Sequence, residues 1–260
     1  MAIKQLAHRL LGGNLEEVLI VFHTIGSNRG TMLDVGAHFG SSLAPFLAAG
    51  WSVHAFEPDP SNRAFLASGY PGAKIDPRAV SEVDGEEVSL YTSDVSTGIS
   101  TLSPFHATHM PTTKVRTVRL DTYLREHNIT QVDFLKTDVE GTDLFALRSF
   151  PWTRIHPKAV VCEFEDNKTV RLGHDVHDIA KFLEEQGYSV LVSEWEPITE
   201  YGREHVWRRF TRYPAEIPSN SWGNLIAVDP ALLDRLEEEG KLTVRKLRNR
   251  KRVRSLLRIK

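Results

Sequence analysis

The stretch Thr31–Gly40, TMLDVGAHFG, decides the fold. An apolar run ends at Asp34, Gly36 and Gly40 follow, and a helical pattern begins at once. This is a strand, a glycine-rich turn and a helix N-terminus. Such a turn lets the backbone approach a ligand closely and aims free N–H groups at it. The next apolar run, WSVHAFEPD, ends in Glu57. Acids at the carboxyl ends of two adjacent parallel strands point to a nucleotide-like ligand, and Glu57 can accept both hydroxyls of a ribose. The spacing D-x-G-x-x-x-G is neither the dinucleotide fingerprint nor a P-loop, and acids beside the turn speak against a phosphate-rich ligand.

Working outward, residues 3–11 and 14–25 read as short helices, an N-terminal cap over residues 1–30. After the strand Thr31–Val35 come a helix Ser41–Ala49, a strand Ser52–Phe56, a helix Ser61–Ser68 and a short strand at Ala73–Ile75, with Val80 as the far limit of its continuation. Alternating strands and helices predict a parallel sheet covered on both faces. Glu87–Tyr91 and Lys114–Leu120 read as further strands. The segment Thr92–Thr113 between them, rich in Ser, Thr, Gly and His, has no pattern, and loops of such length are usually functional or disordered. Asp121 is expected to cap a helix reaching His127. Then follow a strand at Val132–Thr137, a helix opened by Gly141, a strand Ala159–Phe164, a helix Val176–Gln186, and strands Tyr188–Ser193 and Trp222–Val228. A last helix starts at Pro230. No repeat is visible, so residues 31–240 form one α/β domain.

The 260 residues hold 32 basic and 34 acidic side chains. Residues 241–260 carry ten Lys or Arg and no acid, which leaves a net charge of −12 on the rest. The body is acidic and the tail strongly basic. The tail has interspersed Leu, Val and Ile, and suits an amphipathic contact with an anionic membrane surface, an acidic partner or nucleic acid. No apolar run approaches the ~20 residues of a membrane span. The single cysteine, Cys162, excludes an intramolecular disulfide; among Val160, Val161 and Phe164 it reads as a buried hydrophobe, and a cytoplasmic location fits.

A third site is Asp138, Glu140 and Gly141 in LKTDVEGTD. Acids crowded at a strand end are costly unless they bind something or one is protonated. Lys136 is a partial partner, although strand alternation should turn it to the opposite face from its strand neighbours.

With these motifs in order, DVGAHFG, FEPDP, RAVSEVDGE and LDTYLREHNITQVDFLKTDVEGTDLFALRSF, the chain resembles the FkbM family of S-adenosylmethionine-dependent methyltransferases over roughly residues 31–165. The resemblance implies a class I methyltransferase fold (Rossmann-like): seven strands in the order 3-2-1-4-5-7-6, the seventh antiparallel. It implies O-methylation, often of sugar hydroxyls in glycans or natural products, with S-adenosylmethionine as cofactor. Carried over, Asp34, Gly36, His38 and Gly40 would lie at the methionine part, Glu57 and Pro58 at the ribose, Arg78 and Ala79 at the adenine, and Asp138 and Glu140 near the sulfonium or substrate. Thr137 departs from the aliphatic residue expected there.

Methyl transfer rests largely on orientation, helped by a general base. The candidates are Asp138, Glu163 at the end of its strand, and His106 and His109 in the unassigned loop. Mg²⁺ on Asp138, Glu163 and Asp166 or Asn167 is an alternative, but these do not match the metal-dependent pattern residue for residue, and no metal site is assigned. The aromatic residues Trp195, Tyr201, Trp207, Phe210, Tyr213 and Trp222 could stack on a sugar ring or pack a lid. Rival readings are a binding module that has lost catalysis and a nucleic-acid methyltransferase; the acidic body weighs against the latter.

Overall fold

The computed structural model describes residues 16–26, 29–201 and 205–258, the last nine of them as backbone only. The expected helix at residues 3–11 lies outside the described residues. The elements are α1 (Glu17–Ile25), β1 (Thr31–Val35), α2 (Ala44–Ala48), β2 (Ser52–Phe56), α3 (Pro60–Gly69), β3 (Lys74–Asp76), β4 (Ala79–Val80), β5 (Glu87–Thr92) and β6 (Met110–Val118). The second half adds α4 (Leu120–Glu126), β7 (Phe134–Thr137), α5 (Asp143–Arg148), β8 (Ala159–Glu165), α6 (Asp166–Thr169), α7 (Val176–Glu185), β9 (Ser189–Trp195), β10 (Trp207–Arg212), β11 (Trp222–Val228) and α8 (Leu233–Arg258).

The main sheet has the order β10-β9-β11-β8-β7-β1-β2-β3. β3, β2, β1, β7 and β8 run parallel, and β11 is antiparallel to both β8 and β9. This is the order 3-2-1-4-5-7-6 with one strand more than expected. The extra strand, β10, lies in WRRFTR, where three arginines hide the strand period. Tertiary pairing explains them: Arg208 and Arg209 both reach Glu194 on β9, whose side chain is 1% exposed, at 2.8 and 2.7 Å. β10 forms the sheet edge, where charged side chains also discourage pairing with other chains.

The central strands are mostly apolar because helices cover both faces, and their charged residues cluster toward the carboxyl ends. All seven residues of β8 are buried. One core layer joins Leu33, Val35 and Leu135 to α4, α5 and α7; the other joins Met32, Phe134 and Val161 to α1, α2 and α8. α7 starts with a capping box in which Asp175 accepts from the His177 and Asp178 amides. α8 runs unbroken across residue 240, with Leu236 fully buried and Val244 and Leu247 against the core, so the basic segment begins as a docked helix.

Three expectations change. Strand three does not continue to Val80: β4 leaves the main sheet and joins β6 and β5 in a separate three-stranded sheet. Asp121 does not cap α4 but sits in its first turn, paired with Arg119 at 3.0 Å. The free amides of Leu120 and Asp121 are taken instead by the hydroxyl and carbonyl of Ser149, each at 3.0 Å, a partner from the far end of α5. The unassigned loop is ordered around a 3-10 turn, Thr97–Ile99, and its last residues belong to β6. Among the described residues no helix is long and apolar enough to cross a membrane.

Candidate active site

A cleft opens at the carboxyl ends of β1, β2 and β7, with about 550 Å³ of space that includes open solvent. Its floor is the turn after β1. Gly36 has φ +80°, and a Cβ there would collide with the carbonyl oxygen of Asp138. Only glycine lets the β1 turn and the β7 end approach so closely. His38 follows, also left-handed at φ 48°, with its Nε2 3.0 Å from the Thr97 hydroxyl.

Glu57, at the tip of β2, is 4% exposed. Its two oxygens accept from the amides of His38 (2.7 Å) and Asp59 (2.9 Å), so the carboxylate ties the glycine turn to α3. Each oxygen keeps a second lone pair for a ligand. Burial pushes its pKa up to about 7, against the opposing backbone hydrogen bonds. Pro58 lines the same wall, and so do Arg78 and Ala79. The Arg78 guanidinium is already held by Asp76 and Glu126, both at 2.8 Å, so it serves as wall rather than as a free cation.

Asp34 and Gly40 do not line the cleft. Asp34 is fully buried beneath it, its Oδ1 3.5 Å from the ammonium of Lys136, and burial raises its pKa. Gly40 faces Tyr70 and Leu66. Lys136 is a partner of the acids: β1 and β7 are parallel and pair Asp34 with Lys136 in register, which puts both on one face. Its ammonium also reaches Asp138 at 3.2 Å. Burial alone would raise the pKa of Asp138, but Lys136 and Lys168 outweigh it and bring it below the ordinary carboxylate value.

Of the four candidate bases, Asp138 alone lines the cleft. Glu163 is buried behind it, 3.2 Å from the ammonium of Lys168, and burial and the neighbouring Glu140 raise its pKa. His109 is spent on the loop: its Nδ1 accepts from the amides of Phe105 and His106, and its Nε2 bonds the Ile99 carbonyl at 2.9 Å. His106 bonds the Thr108 hydroxyl at 2.8 Å. As bases, both histidines would first have to leave these partners. Asp166, considered as a metal ligand, accepts from the Val176 amide instead, at 2.9 Å.

The sequence reading missed Lys168, which is 1% exposed. Its ammonium lies 2.5 Å from Glu140, 2.8 Å from Glu165 and 3.2 Å from Glu163. The spacing of Glu165 and Lys168, three residues apart at a helix start, was a usable signal. Glu140 and Glu163 came from loops and strands whose convergence leaves no trace in spacing. The sequence reading also missed the wall formed by the former unassigned loop: Thr97, Gly98 and residues 100–102 line the cleft, and Thr101 anchors them by donating to the Glu140 carbonyl at 3.1 Å.

The methyltransferase FkbM domain model matches residues 34–190, more than half of the chain. The chain belongs to the FkbM methyltransferase family. It is an S-adenosylmethionine-dependent methyltransferase with a class I fold. No curated protein sequence matches it. Solved structures that it resembles include a TehB-like SAM-dependent methyltransferase from Corynebacterium glutamicum (12% identity, 87% of this chain and 96% of that one, TM-score 0.44). Another is precorrin-6y C5,15-methyltransferase from Geobacter metallireducens (12%, 82% and 87%, 0.43). A third is magnesium protoporphyrin IX methyltransferase from Synechocystis, solved with bound SAM (11%, 88% and 80%, 0.42).

Proposed function

We propose that this FkbM methyltransferase methylates a hydroxyl of a sugar unit, in a glycan or a glycosylated natural product. The observation that carries this reading is the aromatic group beside the acid-lined end of the cleft. Phe105 and His106 pack on Tyr201, with ring centroids 5.9 and 5.5 Å apart, and the Tyr201 hydroxyl bonds Glu165 at 3.0 Å. Aromatic faces beside carboxylates suit a sugar, which offers C–H faces for stacking and hydroxyls that donate to acids.

The cleft suits S-adenosylmethionine. Glu57 has lone pairs left for a ribose diol, Val35, Phe56, Val80 and Leu90 offer apolar walls for a base, and the turn around Gly36 leaves room for close approach. Asp138 and Glu140 make the opposite end anionic, as a cationic ligand requires. When bound, the cofactor supplies an electrophilic methyl group on a positively charged sulfur. The chain's task is then alignment. Asp138, on the cleft wall, would accept a hydrogen bond from the acceptor hydroxyl, fix its oxygen and take up its proton; such orientation accounts for much of the rate. The loop at residues 97–102 forms one wall of the cleft.

Calorimetric titration with S-adenosylhomocysteine and transfer from methyl-labelled cofactor into fractionated host extract test the reading together. Label in a glycan fraction is expected. Binding without transfer to any fraction would favour a binding module, and label in nucleic acid would replace the sugar acceptor. We also read the basic residues 241–260 as a contact for an anionic membrane surface. Co-sedimentation with anionic but not zwitterionic vesicles is the expected result, and equal pelleting in both would sink it.

A further inference from the structure

Carboxylates from the ends of two adjacent strands ordinarily converge on a hard cation, which takes oxygen ligands. Asp138, Glu140 and Glu163 each place an oxygen within 4.8 Å of the others, and Glu165 joins them through its pairing with Lys168. The centre of this group is filled by the chain itself. α6 is a single turn that begins directly after β8 and folds Lys168 back over the strand end. The lysine stem lies against Gly141, where a Cβ would come within 2.9 Å of the Lys168 Cβ, so the glycine after Glu140 makes room for it. The Phe105 ring covers the ammonium at 5.1 Å. Lys168 pairs with three carboxylates at once, hydrogen-bonding Glu163 and lying within ion-pair distance of Glu140 and Glu165.

We propose that Lys168 is the resident cation of the acceptor side: its ammonium takes the place that a divalent metal would hold among Glu140, Glu163 and Glu165, makes methyl transfer independent of added metal, and positions Glu140 at the cleft wall. Lys168 is a positioning residue, since its ammonium is buried inside the cluster and does not line the cleft. Glu140 is the part of the cluster that reaches the cleft, from a left-handed backbone at φ 56°. The pairing with Lys168 holds that strained loop in place, and Thr101 on the covering loop is tied to the same residue. A divalent ion and the ammonium compete, because both draw on Glu140 and Glu163.

The activity arm of the test rests on the methyl-transfer reading; the metal arm does not. Wild-type protein is titrated with Mn²⁺ by calorimetry and electron paramagnetic resonance, and its methyl transfer is measured with and without EDTA. No stoichiometric Mn²⁺ binding and less than a twofold change with EDTA are expected. Lys168→Ala opens the centre of the cluster. It is expected to bind one Mn²⁺, to gain thermal stability with Mn²⁺ where wild type gains none, and to lose tenfold or more in transfer, partly restored by the ion. Lys168→Arg, which keeps the charge, should bind no Mn²⁺. One Mn²⁺ on wild type that disappears in Glu163→Gln overturns the proposal. So does a Lys168→Ala protein that neither binds Mn²⁺ nor loses transfer. If the alanine variant does not fold, Lys168→Met fills the space without the charge, and the wild-type titration still decides. Failure of wild type to bind S-adenosylhomocysteine would refute the methyl-donor reading and leave the Mn²⁺ result standing by itself.

Discussion

The two sides of the sheet's carboxyl edge handle buried acids in opposite ways. On the β1–β2 side, Glu57 is held by backbone amides of His38 and Asp59. On the β7–β8 side, Asp138, Glu140, Glu163 and Glu165 are held by two buried lysines, 136 and 168. Amides satisfy one lone pair each and leave a carboxylate free to accept a ligand. Ammonium groups neutralise charge but use up the geometry around them. The first side is built to bind, the second to be held in place with an anionic edge toward the cleft. A buried charge without such partners would cost several kcal/mol, so each solution is also a condition of folding.

The comparison is broken most severely at the point where the two sides meet. Gly36→Ala forces a Cβ into the Asp138 carbonyl and a left-handed backbone on an L-residue. The overpacking costs about 1–3 kcal/mol and the backbone ~1–2 kcal/mol more. A thermal melt should show the loss, and calorimetry should detect no S-adenosylhomocysteine binding. Wild-type affinity in this variant would mean that the turn does not shape the cleft.

Glu57→Ala tests the amide-held side alone. Buried amides without an acceptor cost about 1–3 kcal/mol, and S-adenosylhomocysteine affinity should fall at least ~tenfold if the ribose depends on this carboxylate, a loss of about 1.4 kcal/mol. Equal affinity in wild type and variant would remove Glu57 from the cofactor site.

Acidity should separate stability from binding. Burial raises the folded pKa of Glu57 from 4.5 to about 7. Between those values the folded protein keeps a proton that the unfolded chain has lost. Its contribution to stability is therefore full below pH ~4.5 and is lost as pH rises through about 7. Asp34, Glu140, Asp143 and Glu163 are raised too, chiefly by burial, and act in the same direction. Denaturant unfolding of the cofactor-free protein should show greater stability at pH 5 than at pH 8. Cofactor binding should run the other way, tighter at pH 8 than at pH 6, because the ribose needs the ionised Glu57. Binding that does not change across this range would separate the two roles.

Tyr201→Phe gives the smallest effect. It removes one hydrogen bond to Glu165, about 1 kcal/mol, and leaves Lys168 to hold the cluster. A stability loss several times larger would show that the lysine is not the main partner on that side.

Much of the fold was legible because strands buried on both faces are predominantly apolar runs. Thr31–Val35, Ser52–Phe56 and Trp222–Val228 matched the structure to the residue. β10 was not legible, since its arginines answer to Glu194 on another strand. The start of α4 was misread for the same reason: its amides are capped by Ser149, distant in sequence. At the site, Gly36 and Glu57 could be read because a turn and a strand end are local features. The course of residues 97–102 over the cleft depends on Thr101 meeting the Glu140 carbonyl, a contact that no local pattern encodes.

The sequence by itself determined the alternation of elements, the glycine turn after the first strand and the acids at the strand ends, because each follows from neighbours a few residues apart. Tertiary structure alone decided what those acids do. Register between β1 and β7 turned Lys136 onto Asp34, and one turn of helix after β8 carried Lys168 into the centre of three carboxylates. Charge interactions act through space and grow as water is excluded, so the partner of a buried charge is known only once the chain has folded around it.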